Sequence, residues 1–299
     1  HTDLQGSVQY HRTTPPLLEV EITGGSLSLL PCEDARDELD KKSGGAASKK
    51  KNEGASLLGD IVMTPLRMIS GPREAKPGNK VFSSEPFPLD FLGEHQVNIK
   101  GKLDKVTSHE VNAIGLSFSA SLNDGQLDLQ SSASEINGGS GSFKMHLGVI
   151  EDRLSASATG TFRNLQGDLI QARFPRSGYL ELVSSGNSEA ELPANINGIV
   201  YLELGKGPMI YGDLMLLTAD VATSALGALI PGADKRQPKL ECGVTLGRFK
   251  DGIGVTPYGY AMRTNQANLV GQISLNLKKE LLQMNVSSSS RKGVGLSFG

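Results

Sequence analysis

Residues 116–129 read LSFSASLNDGQLDL, and the fold is decided there. Leu116, Phe118, Ala120 and Leu122 share one parity, with Ser117, Ser119 and Ser121 between them. Side chains alternate across a strand, so this spacing makes one apolar face and one polar face, not a helical stripe. Asn123-Asp124-Gly125 then turns the chain into Leu127 and Leu129, which is the short-range signature of a β-hairpin.

The same grammar runs outward in both directions. It continues through Phe143, Met145 and Leu147, then Leu154, Ala156 and Ala158, and returns at Val200, Leu202 and Leu204. Near the end come Leu240, Cys242, Val244 and Leu246, a turn at Lys250-Asp251-Gly252, then Ile273, Leu275 and Leu277. Leu282, Met284 and Val286 follow Lys278-Lys279-Glu280. Period-two runs closed by polar or Asx-Gly turns predict a mainly β chain: a long, curved antiparallel meander, hairpin after hairpin. One helix is expected within it. Residues 213–230, DLMLLTADVATSALGALI, place Asp213, Asp220, Ser224 and Gly227 on one stripe with Leu and Val around the rest, and Pro231-Gly232 stops the run. At the lower length limit for a bilayer span and with two Asp inside, it reads as an amphipathic helix docked on an apolar surface.

Composition sets the outer bounds. The 299 residues are 38% hydrophobic with 36 glycines, enough apolar material to bury a core. Thirty basic and 32 acidic residues nearly cancel, so the basic footprint of a nucleic-acid-binding protein is absent. Aromatics at 5% with no Trp are too few for base-stacking platforms. Residues 33–56 carry six acidic and six basic residues and almost nothing apolar, and read as a charged, disordered insertion. It follows a first sheet segment (1–32) and precedes an irregular Pro-rich bridge (57–96, with Pro72, Pro77, Pro86 and Pro88) into the main β module, 97–299. The start at His1 and the stop inside Val294, Leu296, Phe298 read as cuts from a longer chain.

Catalytic templates are missing. His1, His11, His95, His109 and His146 offer no HExxH or HxH pair for a metal, and there is no GxSxG elbow or GxxxxGK[ST] loop. Gly205-Lys206-Gly207 runs into Pro208 and reads as a turn, not a dinucleotide site. His146 is expected on the polar face of its strand, and Glu151-Asp152 in a solvated turn. Cys32 and Cys242 can form one bridge in an oxidising compartment, but two thiols alone make no zinc site. No catalytic residue, cofactor or metal is expected, although a carboxylate pair scattered through a β fold leaves no sequence trace.

Alternation alone leaves open whether the apolar faces meet as a sandwich core or line an open slot. The segment 240–286 resembles the C-terminal repeat region of the AsmA family of bacterial envelope proteins. Leu240-Glu241-Cys242 is similar to the family's cysteine after a Leu, and Arg248-Phe249-Lys250-Asp251-Gly252 to its F-x-x-D-G turn, shortened by one. Thr264 with Leu269-Val270-Gly271-Gln272-Ile273-Ser274-Leu275, and Glu280-Leu281-Leu282-Gln283-Met284, are similar to its last two strands. Ser274 and Gln283 stand where the family favours Asp, and Gln272 where it often has Gly. The strands from Val97 to Leu204 are similar in style only.

The resemblance implies a non-enzymatic periplasmic protein related to TamB-type bridges, tethered to the inner membrane by an N-terminal helix outside this sequence. Such proteins have a curved sheet with an apolar groove and support outer-membrane assembly and phospholipid transport between inner and outer membranes. The expected lipid-groove positions are Leu116, Phe118, Leu127, Leu129, Phe143, Met145, Val200, Leu202, Leu204, Ile273, Leu275, Leu282 and Met284. Leu214, Leu217, Val221 and Leu229 of the helix are expected to dock onto the groove or cap a sheet edge. Phospholipid tails are the expected partner, with outer-membrane assembly proteins beside them. Two rivals are an assembly factor that receives client strands by β-augmentation, and a surface β-solenoid or adhesin. Irregular turn spacing speaks against the solenoid.

Overall fold

Two-residue turns set the architecture. Asp124-Gly125, Asn137-Gly138, Glu151-Asp152 and Asp251-Gly252 all carry positive φ at both positions (48° and 75° for the first). That is the type I′ geometry, whose twist matches that of the flanking strands and holds them in antiparallel register. The computed structural model describes residues 2–28, 82–87, 89, 91–108, 111–166, 175–208, 239–290 and 295–297. The expected helix at 213–230 with Leu214, Leu217, Val221 and Leu229, the charged insertion, and Cys32 lie outside the described residues.

The strands are β1 (Asp3–His11), β2 (Leu17–Ser28), β3 (Gln96–Thr107), β4 (Asn112–Asn123) and β5 (Gln126–Ile136). Next come β6 (Gly139–Ile150), β7 (Arg153–Leu165), β8 (Arg176–Gly186), β9 (Asn197–Leu204) and the short β10 (Gly207–Pro208). The last five are β11 (Lys239–Lys250), β12 (Ile253–Thr264), β13 (Ala267–Asn276), β14 (Leu281–Ser290) and β15 (Gly295–Ser297). All belong to one 15-stranded sheet whose order follows the sequence, with β9 beside β11 and β10 branching off β11. Neighbouring strands rotate by about 20–25°, so a sheet of this length coils as it extends.

The chain is mainly β in one long sheet, as expected, and one strand pair departs from the antiparallel meander. β2 runs parallel to β3, Leu17 opposite Gln96 through Ser28 opposite Thr107. Parallel neighbours need a long crossover to bring the chain back to the same end, and residues 29–95 supply it. The first segment is thereby welded into the same sheet as the main module.

The described end of that crossover is built on the sheet. Phe87 N–H donates to Asn187 O (2.7 Å), Ala190 N–H to Ser83 O (2.9 Å), and Gln96 N–H to Pro16 O (2.9 Å). Two single-turn helices, α1 (Phe91–Glu94) and α2 (Glu191–Ala194), carry Leu92 and Leu192, each only 2% exposed. Both leucines pack with Met145, Leu147 and Leu154, and with the partly buried Phe87, Leu89, Leu122 and Leu127. The bridge is therefore a strap across one end of the sheet in this part, not a loose linker.

A bulge corrects a second expectation. Leu240 pairs with Thr264 and Cys242 with Arg263, so one residue of β11 is inserted between them. Leu240 (0% exposed) is thereby parted from Cys242, Val244 and Leu246, which turn to the other face. Cys242 is an exposed free thiol.

Candidate functional site

Residues directly opposite each other in neighbouring strands share a face, so the registers trace continuous cross-strand ladders. One runs Val8, Val20, Ile99, Ala120, Leu129, Met145, Ala158, Leu182 and on through Gly198, Phe249 and Gly254 to Leu275 and Leu282. A second runs Ile22, Gly101, Phe118, Ser131, Phe143, Gly160, Leu180, Val200. A third joins Leu116, Ala133, Gly141, Phe162, Gly178, Leu202, Thr245, Tyr260, Gly271 and Val286. All thirteen expected positions fall on this one face: Leu127 lies opposite Leu147, Leu204 opposite Gly243, and Ile273 opposite Met284.

The floor of this face is low because its aromatic rings lie down. Phe118 stands opposite Gly101, Phe162 opposite Gly178, and Phe249 opposite Gly254. A Cβ on Gly254 would come within 2.6 Å of Phe249 Cε1, and one on Gly178 within 2.8 Å of Phe162 Cζ. At Gly101 all three nearest atoms belong to the Phe118 ring. Each ring thus covers the bare backbone of its neighbour strand, the arrangement that repairs the packing deficit of a strand glycine. Few aromatics are needed, since none has to bridge to a second sheet.

Exposure divides the face. Leu127, Leu129, Phe143 and Met145 pack into the cluster beneath the strap, and Met145 is buried. Leu202 and Leu204 join Leu240, Tyr260, Met262 and Leu269, and Leu116 and Phe118 pack around Leu103, Val106 and Ala113. Val200, Leu275 and Met284 stay half-buried, and Leu282 is 40% exposed. Two hydroxyls on this face are tied to the backbone. Thr256 hydroxyl accepts from Ile273 N–H (2.7 Å) where β12 bulges, and Thr264 hydroxyl accepts from Ala267 N–H (2.9 Å). Tyr260 is buried with its hydroxyl 4.0 Å from Met262 Sδ, and burial pushes its phenol up to about 12. Tyr260, Met262, Leu92 and Leu192 escaped the sequence reading, although Tyr260 and Met262 do alternate.

Across β4 to β7 the opposite face is polar and wet, whereas from β8 to β13 it carries the exposed Val183, Val244 and Val270. Ser119, Ser121, Asp128, Gln130, Lys144, His146, Ser157 and Thr159 line a shallow depression of about 340 Å³. There His146 Nδ1 lies 2.8 Å from Asp128 Oδ1, both well exposed, on the face expected for His146. Among the described residues no three or more His, Cys, Asp or Glu gather closely enough to hold a metal ion. Among them, too, no helix is long and apolar enough to cross a membrane.

The class defined by these observations is a single-sheet β protein with one continuous apolar face, strapped at one end. Comparison with protein-family models, curated proteins and solved structures finds no match to this chain.

Proposed function

We propose that the apolar face is a floor for phospholipid tails, and that the protein works in the bacterial periplasm as an AsmA-like factor. It supports outer-membrane biogenesis by passing lipid between the inner and outer membranes, without catalysis. The observation that carries this reading is the uninterrupted ladder from Val8 to Leu282 on a sheet that no second sheet covers among the described residues. Along this ladder Met145 and Leu182 are buried while Val8 is 70% and Leu282 40% exposed, and contiguous apolar surface left to water marks a binding site.

The energetics suit a conduit. Exposing an acyl chain to water costs about 0.8 kcal/mol per CH₂. A floor of Leu, Ile, Val and Met removes most of that cost, so transfer from bilayer to protein is near thermoneutral. A tail spans half of a hydrocarbon core of about 30 Å. At about 4.8 Å per strand it covers roughly three strands, so several tails fit along the sheet. The open stretch is where Val200, Leu275, Leu282 and Met284 keep partial exposure.

Photocrosslinking tests the reading. A crosslinking side chain at Leu275 or Met284 should capture phospholipid in bacterial cells, and one at Ser157 or Thr159 on the polar face should not. Equal capture from both faces, or none from the apolar face, defeats it.

A further inference from the structure

β1 is the edge of the sheet among the described residues, pairing only with β2. Its sequence, DLQGSVQYH, runs for nine residues with no Lys and no Pro to keep another edge away. Every residue is exposed, including Leu4 at 46%, Val8 at 70% and Tyr10 at 62%. The extra residue that interrupts pairing with β2 is Thr23 on β2, so β1 keeps strict alternation. Leu4, Gly6, Val8 and Tyr10 share the apolar face, and Asp3, Gln5, Ser7, Gln9 and His11 the polar one.

We propose that β1 pairs antiparallel with β1 of a second copy of this chain, about a two-fold axis through Ser7. The strand is chemically self-complementary in that register. Asp3 falls opposite His11, Leu4 opposite Tyr10, Gln5 opposite Gln9, Gly6 opposite Val8, and Ser7 opposite itself. Each acidic, apolar or amide group meets a suitable partner, and the small Gly6 meets the branched Val8. A shift by one residue sets apolar side chains against polar ones. A shift by two keeps the faces but discards end pairs, so this register is the one that uses all nine residues. His11 Nε2 is already 3.0 Å from Glu19 within its own chain, so Asp3 of the second copy joins that exposed polar cluster. The contact is isologous, as a two-fold interface requires. It also joins the two apolar faces edge to edge into one floor. The inference rests on β1 alone and stands apart from the lipid reading.

Cysteine placement on the full 299-residue chain, with Cys32→Ser and Cys242→Ser as background, tests both the contact and its register. Directly opposed residues have Cα atoms about 4.5–5.5 Å apart, inside the range a disulfide bridges. Ser7→Cys should therefore form a covalent dimer on mild oxidation. Gln5→Cys should not, because its two copies lie four residues apart, roughly 14 Å along the strands. An edge contact of this size is weak, so sedimentation equilibrium is run up to about 100 μM. The mass should rise towards twice 31.7 kDa and return to the monomer value with Ser7→Lys, which sets two ammonium groups face to face on an exposed strand. A chain monomeric over this range overturns the proposal. So does crosslinking of Gln5→Cys as fast as Ser7→Cys, a dimer indifferent to Ser7→Lys, or an edge that prefers an unrelated alternating peptide to one of residues 3–11.

Discussion

Replacing Gly101 with Ala probes the device that keeps the apolar floor low. A Cβ at this position meets Phe118 Cε1 and Cζ first and Cε2 at 2.9 Å, with no backbone among its nearest atoms. Gly101 is not among the residues with positive φ, so Ala fits its backbone. By itself the substitution should stabilise by about 0.4–1 kcal/mol through the unfolded chain. The ring must move, however. An off-rotamer displacement costs about 0.5–1.5 kcal/mol, and overpacking at a filled site about 1–3 kcal/mol. The net expectation is a loss of about 1–2 kcal/mol, read as a lower urea midpoint at unchanged slope. In a Phe118→Ala background the clash is gone, and Gly101→Ala should become neutral or stabilising. The double-mutant cycle should then show coupling of about 1–3 kcal/mol between the two positions. Additivity of the two changes within about 0.5 kcal/mol would refute the claim that the ring lies on the glycine.

Other consequences follow from single positions. Leu154→Ala, at a side chain 1% exposed beneath the strap, should cost about 2–5 kcal/mol by urea unfolding. The same change at Leu282, 40% exposed, should cost well under half as much. Gly125→Ala meets no atom within 4 Å but sits at φ 75°, so a loss of about 1 kcal/mol in thermal melts is expected from backbone conformation alone. Tyr260 is neutral when folded, and its phenol titrates near 12 instead of 10. Its contribution is present below pH 10 and is lost as pH rises from 10 through about 12, where ionisation favours the unfolded chain. Tyr260→Phe should flatten that stretch of the stability–pH curve.

What the sequence disclosed was local. Asp124-Gly125 and Asp251-Gly252 announce their turns because the left-handed backbone they adopt is a property of two residues. Parity put Leu116, Met145, Val200 and Leu275 on apolar strand faces, and sequential pairing merged those faces into one. Non-local features left no trace. The parallel pairing of β2 with β3 depends on where a long crossover returns the chain. The bulge after Leu240 breaks a perfect run of alternation, so Cys242 and Val244, which share its parity, lie on the other face. Leu92 and Leu192 sit in four-residue helices too short to show a period. The Phe-over-Gly pairs were visible only as an excess of glycine until the registers set Phe118 against Gly101 and Phe249 against Gly254.

Identifying what travels with the protein tests the central claim most directly. The chain is purified from bacterial membranes, checked for folding by circular dichroism, extracted with organic solvent, and its lipids identified by mass spectrometry. Co-purifying phospholipid in near-stoichiometric amount is expected, lost in Met284→Asp and retained in Thr159→Asp on the polar face. A folded wild-type chain free of lipid, or lipid that survives Met284→Asp unchanged, would contradict the account.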